Sequence, residues 1–218
     1  MRPFEQDFAS LNTALLHMGE MVARSVHRGV LALVERNAEF AYDVMRDETE
    51  IDESDLRISN ATATLIAREQ PVASDMRLVV TAIKISTDLE RMGDLAVNVA
   101  SRALSLMSQP ELKNPIVLTE LAGLVQGMVL RSLDAFVRRD ATLANEVLAQ
   151  DNGVDEMRAA IQRQVIEMMR TGPDSIERAL DHLIAARSLE RIGDHARNIA
   201  EGVIYLVQGI DVRHRSAA

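Results

Sequence analysis

An eleven-residue segment occurs twice in this chain, one hundred residues apart, and that duplication limits the possible folds more than any other feature. Residues 90–100 read Glu-Arg-Met-Gly-Asp-Leu-Ala-Val-Asn-Val-Ala, and residues 190–200 read Glu-Arg-Ile-Gly-Asp-His-Ala-Arg-Asn-Ile-Ala. Seven of the eleven positions are identical and two more are conservative. A second correspondence, at an offset of 103, sets Val44, Glu48 and Ile51-Asp52-Glu53 against Val147, Asp151 and Val154-Asp155-Glu156. The offset changes around Pro71 and Pro173, where a loop tolerates insertion. The chain therefore reads as a tandem repeat, with a first unit over 1–109, a second over 115–218 and a joint near Gln109–Pro115.

Each repeat is predicted to be three helices. All five prolines sit at breaks: Pro3 at the start, Pro71 and Pro173 at similar depth in the two halves, Pro110 and Pro115 at the joint. Proline costs about 3 kcal/mol inside a helix, so the long proline-free stretches between them are free to be helical. The reading gives helices near 4–35, 38–68, 75–108, 116–138, 141–170 and 175–208. Asn37 and Asp140 are expected N-caps, with Ser74 and either Asp174 or Ser175 capping the helices after Pro71 and Pro173. Ala82, Ile85, Leu89, Met92, Ala96, Val99, Ala103 and Leu106 recur in steps of three and four, the seam of a bundle helix. Aromatic residues make up only 3% of the chain, so the core must be filled by aliphatic side chains and the 11 Met, among them Met18, Met21, Met92, Met168 and Met169. The expected fold is all-α: two tandem three-helix bundles of up-down antiparallel helices. Sequence alone does not choose whether they pack side by side or end to end.

The repeated residues that carry chemistry are carboxylates. Glu90 and Asp94, and Glu190 and Asp194, are four residues apart, which puts each pair on one helix face a turn apart. Like charges at that spacing oppose helix formation by a few tenths of a kcal/mol unless a cation lies between them. Asp94 falls almost opposite the Leu89/Met92/Ala96 stripe, which places the pair on an outer or groove-lining face. Asn98 and Asn198 extend that face by a turn and are possible auxiliary ligands. Helix two adds Glu48 with Asp52, and helix five Asp151 with Asp155, at the same spacing. The seam of helix two runs Ala41, Val44, Glu48, Ile51, Asp55, Ile58, Thr62, Leu65, so Glu48 interrupts an apolar row, and Asp151 does the same between Val147 and Val154; an acid there must be paired, coordinated or near enough to the bundle end to reach water. Four carboxylates per half are hard oxygen donors suited to Mg, Mn, Ca or iron. The bland alternative is a solvated, salt-bridged surface, because Arg91 and Arg191 adjoin the acids. His195 has Leu95 as its counterpart and is expected to be a surface or capping group. Gly93 and Gly193, each costing about 1 kcal/mol mid-helix relative to Ala, are expected to admit a close helix neighbour.

Other functions are disfavoured. With no cysteine there is no disulfide framework and no thiolate metal site. A net charge of −9 disfavours nucleic acid and anionic membrane surfaces and suits cations or basic partners. No signal-like apolar core and no uncharged stretch of spanning length are evident, so direct membrane insertion is not expected and the predicted location is the cytoplasm. There is no Gly-rich phosphate loop, nucleophile elbow or His-Glu-x-x-His, and an enzyme is not expected.

The chain resembles the PhoU family, the accessory proteins of the bacterial phosphate-specific transport system. The resemblance spans nearly the whole chain. It is carried by Gln70-Pro71-Val72-Ala73-Ser74-Asp75-Met76-Arg77, Ala82-Ile83-Lys84-Ile85 and Asp88-Leu89-Glu90-Arg91-Met92-Gly93-Asp94 in the first repeat. In the second it is carried by Ser188-Leu189-Glu190-Arg191-Ile192-Gly193-Asp194-His195-Ala196 and Asn198-Ile199-Ala200-Glu201. The second repeat lacks the Pro-Val-Ala-Ser-Asp-Met-Arg signature, so any role of Asp75 and Arg77 belongs to the first alone. The resemblance implies that Glu48/Asp52, Glu90/Asp94, Asp151/Asp155 and Glu190/Asp194 hold multinuclear iron or other divalent ions (Fe, Mn, Mg and Zn are not resolved), with no organic cofactor. It further implies a cytoplasmic homodimer acting as a negative regulator, with the transporter's ATPase subunit and the phosphate-sensing histidine kinase as partners. The alternatives are a carboxylate-bridged metal-dependent enzyme and a metal-free helical scaffold.

Overall fold

The computed structural model describes residues 3–110, 118–170, 172, 175–210 and 212. They form α1 (Pro3–Glu35), α2 (Ala38–Glu69), α3 (Ala73–Met107), α4 (Thr119–Arg138), α5 (Ala141–Met169) and α6 (Ile176–Gln208), with no strand among them. These six helices fall within a few residues of the expected ones. The joint of the repeats lies mostly outside the described residues, as do Pro173 and Asp174.

The tightest turns are copies of each other. Arg36 and Arg139, 103 residues apart, both adopt the left-handed conformation, with φ of 50° and 53°. Each is followed by a capping side chain. Asn37 accepts the Glu39 N–H at 2.9 Å, and Asp140 accepts those of Thr142 and Leu143. Such caps contribute about 1 kcal/mol each, which offsets the cost of a non-glycine residue at positive φ. The other two expected caps differ. Val72 precedes α3 with no side-chain cap, which puts Ser74 inside the helix. Ser175 donates its hydroxyl back to Met168 O and Gly172 O and does not accept from the first turn of α6.

Within each repeat the three helices pack on one another, and the two repeats then lie side by side through α3 against α6 and α1 against α4. The outermost helices, α2 and α5, touch only their own repeat to any extent. One continuous core results, with Leu89, Met92, Leu189 and Ile192 completely buried. Each such side chain contributes about 1.5–3 kcal/mol by leaving water. Met18, Met21 and Met92 are core residues, and Met168 and Met169 pack against it.

Two polar contacts fix the α3/α6 register. His195 Nδ1 lies 2.8 Å from Asp88 Oδ1, and Arg102 donates to Asp181 at 3.2 Å. Fourteen residues forward on α3 thus correspond to fourteen back on α6. Because the repeats are offset by one hundred in these helices, the antiparallel crossing is centred on residues 91–92 and 191–192, equivalent positions of the two copies. The halves are related there by a local two-fold.

Asp181 is 6% exposed and also accepts from the Ser105 hydroxyl at 2.8 Å; its repeat counterpart is Thr81. Replacing it by Ala leaves two donors facing a lost acceptor, so Asp181→Ala is expected to lower stability by about 1–3 kcal/mol in urea unfolding. Asp181→Asn, which keeps an acceptor for Ser105, should lose less. Equal stability of all three chains would show that the contact contributes nothing.

Candidate functional site

The placement of the acids begins with a glycine. A Cβ added to Gly93 would sit 3.2 Å from the Ile51 side chain, and one added to Gly193 would sit 3.4 Å from Val154. Ile51 and Val154 are repeat counterparts, so in both halves the glycine of the third helix faces the same position of the second. Close packing, as the sequence suggested, accounts for Gly93; at Gly193 a Cβ would make ordinary contact. Asp52 and Asp94 adjoin that contact in the first repeat, and Asp155 and Asp194 adjoin it in the second.

In the first repeat the structure brings the acids of α2 and α3 within electrostatic reach of each other. Burial, followed by the charges of Asp52 and Asp94, raises the pKa of Glu48. Glu90 is raised by burial and then by Asp94, against an opposing pull from Arg91, with Asp52 and Asp55 adding to the rise. The group therefore holds five carboxylates, the fifth being Asp55, which accepts the Ser86 hydroxyl at 2.5 Å. The nearest cation is Arg91, 3.3 Å from Glu90 and 3.5 Å from Asp94. Its side chain is 59% exposed and it bonds only acids of its own helix, an arrangement that contributes at most about 1 kcal/mol. Among the described residues no cation pairs with Glu48 or Asp52. Asn98 is exposed one turn further along.

The second repeat brings together the equivalent four acids but closes them differently. Asp194 has a raised pKa, first from desolvation in the groove and then from Asp151, Glu190 and Asp155, with Arg197 opposing. Two arginines cross between the helices. Arg197 of α6 bonds Asp151 of α5 at 2.9 Å and Glu201 at 3.1 Å, and Arg158 of α5 bonds Glu190 of α6 at 3.1 Å and Gln162 at 2.6 Å. Desolvation works against the Arg197 charge, but Asp151 and Glu201 on either side prevail and raise its pKa. Asn198 is exposed, like its copy.

No three acidic or imidazole groups among the described residues converge as a ready-made chelate. The first donor set nevertheless has the chemistry of a hard-cation site: carboxylate oxygens on two facing helices, excess negative charge, and access to water that can complete a coordination shell. Glu48, Asp52, Glu90 and Asp94 are the residues that would hold such an ion, bridging α2 and α3. The second set does not fit equally, because guanidinium groups already cross its groove. His195 is neither the surface group nor the cap expected of it. It is half-buried and bound to Asp88 across the α3/α6 contact.

Three contributors escaped the sequence reading of the site: Asp55, Arg158 and Arg197. The signal was present at the same two offsets. Arg158 stands where the first repeat has Asp55, and Arg197 stands where it has Val97.

With this geometry in hand, comparison with known proteins identifies the pattern. The family model described as the PhoU domain matches residues 15–103 and again 118–203. A phosphate-specific transport system accessory protein PhoU homolog from Pseudomonas aeruginosa is 41% identical over 212 residues, covering 97% of this chain and 88% of that protein. The crystal structure of PhoU from Pseudomonas aeruginosa superposes with a TM-score of 0.90 at 40% identity, covering 95% of this chain and all of that one. That of the phosphate transport system regulatory protein PhoU from Streptococcus pneumoniae gives a TM-score of 0.86 at 27% identity, covering 96% and 99%.

The raised pKa of Glu48 has a sign that can be tested. Over the interval between its ordinary and raised values, the folded chain keeps a proton that the unfolded chain has released. The protonated group's contribution is therefore complete at low pH and is lost as pH rises through the raised value, leaving net repulsion at neutrality. In chelator-treated protein, Glu48→Gln is expected to raise stability at pH 7 by a few tenths of a kcal/mol, with the difference shrinking on acidification. A thermal-melt series from pH 4 to 8 (about one half-unit steps suffice, given the width of a carboxylate titration) checks this. A variant less stable than the parent at neutral pH would contradict it.

Proposed function

The chain belongs to the PhoU family, and from that premise we propose that it is a cytoplasmic regulatory adaptor of phosphate uptake, a homodimer that transmits transporter status and carries out no catalytic step. The observation that carries this reading is the presence of the family pattern twice, once in each repeat, in a chain aligned over nearly its full length with proteins named as phosphate transport accessory and regulatory proteins. Its partners on this reading are the ATPase subunit of the phosphate transporter and the phosphate-sensing histidine kinase, and its output is negative: it restrains phosphate-starvation genes while phosphate is plentiful.

Physical features of the fold support such a role. No helix among the described residues is long and apolar enough to cross a membrane, so contact with a membrane-bound transporter would be made from the aqueous side. The paired helices present long, stiff, negatively charged faces, and a surface of this kind is steered toward basic partners. A cation held by Glu48, Asp52, Glu90 and Asp94 would neutralise charge and tie α2 to α3. Its part on this reading is to set the shape and charge of a docking face, with no reaction at the ion.

The test is genetic. In a strain holding no second copy, deletion of the gene is expected to switch on a phosphate-starvation reporter in phosphate-rich medium, and expression of this chain is expected to restore repression. Normal repression in the deletion strain would defeat the proposal. Complementation by Glu90→Gln/Asp94→Asn then separates the roles of fold and cation: the reading with a functional ion predicts partial or lost repression at normal protein level.

A further inference from the structure

The two repeats preserve their paired acids but not what neutralises them, and the difference is built from specific side chains. In the second repeat the bonds across the groove are reciprocal. Arg197 reaches from α6 to Asp151 on α5, while Arg158 reaches from α5 to Glu190 on α6. Each guanidinium also holds a second acceptor, Glu201 or Gln162. In the first repeat the equivalent positions are Val97 and Asp55, a neutral group and a further acid. One copy of the groove is therefore spanned by two arginines, Arg158 31% and Arg197 45% exposed, and the other, among the described residues, by none.

We propose that the second repeat's groove is a metal site replaced by arginine, in which Arg158 and Arg197 do permanently what a divalent ion does reversibly, so that cation uptake is confined to the first repeat. The latter half of this proposal rests on the cation-binding reading of the first groove. The physical case is one of charge and geometry. Arginine remains protonated at any physiological pH, and its planar fork meets carboxylates along two directions at once. A divalent ion entering the second groove would have to break charge-assisted bonds to Asp151 and Glu190, two of its own four candidate ligands. It would also have to remain beside both displaced guanidinium groups. Neither penalty is found in the first groove, where among the described residues the cation bonded to these acids is Arg91, exposed on α3 and bonded within its own helix.

The experiment uses the full chain, stripped with chelator and titrated with Mn2+, with free ion followed by electron paramagnetic resonance. The parent is expected to bind, Glu90→Gln/Asp94→Asn to lose that binding, and Asp194→Asn to retain it. Introducing Arg158→Asp/Arg197→Val into the Glu90→Gln/Asp94→Asn chain gives the second groove the first groove's residues. Mn2+ affinity should then rise by roughly tenfold or more, and a further Asp194→Asn should abolish the gain. The arginine variant should also melt at a lower temperature in chelator and recover with Mn2+, which a merely structural loss would not do. Where the double replacement fails to fold, Arg197→Val alone is expected to give a smaller gain of the same sign. Mn2+ retained by Glu90→Gln/Asp94→Asn and lost with Asp194→Asn would overturn the proposal, as would arginine replacement in a folded chain without any gain. A parent that binds no Mn2+ would instead remove the reading of the first groove, and the arginine replacements would still decide the second.

Discussion

The α3/α6 contact is the constraint on which the remaining structure depends. Each of these helices must satisfy both other helices of its own repeat and one helix of the other repeat, so most of its circumference has to be apolar or small. The stripe from Ala82 through Leu89, Met92 and Ala96 to Ala103 meets that demand, and it is buried along its whole length. Acids inside the contact are paired across it, Asp88 with His195 and Asp181 with Arg102 and Ser105. Glu90 and Asp94 lie off the apolar stripe because positions 89, 92, 93 and 96 are already committed to packing. The location of the candidate site is thus a consequence of burial elsewhere on the same helix.

The second requirement is a close approach between the outer and inner helices. Gly93 and Gly193 admit Ile51 and Val154, and this carries Asp52 and Asp155 toward the acids on the facing helix. A Cβ at Gly93 would require Ile51 to give by a few tenths of an ångström, whereas one at Gly193 would make ordinary contact with Val154. Helix propensity alone favours Ala by about 1 kcal/mol, so tight packing opposes that preference at Gly93 only. The same duplication appears at the turns, where Arg36-Asn37 and Arg139-Asp140 repeat a left-handed residue followed by a side-chain cap. Turn, close approach and acid pair belong to one unit, present twice.

Most of this was legible in the sequence because it is local or periodic. Proline positions, steps of three and four, and the two offsets define six helices and assign equivalent residues. The caps at Asn37 and Asp140 follow from short-range chemistry, whereas Val72 and not Ser74 stands at the N-cap of α3, and Ser175 holds the N-cap position of α6 in helical backbone geometry without a side-chain cap bond. What could not be read depends on side chains from distant segments meeting. His195 has only Leu95 as its repeat counterpart, so the repeat says nothing of its partner, and it finds Asp88 across the α3/α6 contact, 107 positions away. Arg197 stands where the first repeat has Val97, so no repetition points to it, and its partner Asp151, 2.9 Å away, lies 46 positions back on α5. Pattern reveals which residues are repeated, and only packing reveals which of the unrepeated ones have acquired partners.

Divergence between the copies then bears on how a near-symmetric scaffold can serve partners that are not symmetric. Two identical grooves related by a local two-fold would offer any partner two equivalent faces, and orientation would be undetermined. Exchanging Val97 for Arg197 and Asp55 for Arg158 across the copies leaves the backbone arrangement intact while making the charge of the two faces unequal. If the proposal holds, a groove whose charge is set by arginine presents a constant surface, and one bounded almost wholly by carboxylates a surface whose charge follows the cations around it. On the proposed reading, a single fold thereby combines an invariant face with a responsive one, and a regulator that must hold one partner while registering a change needs both.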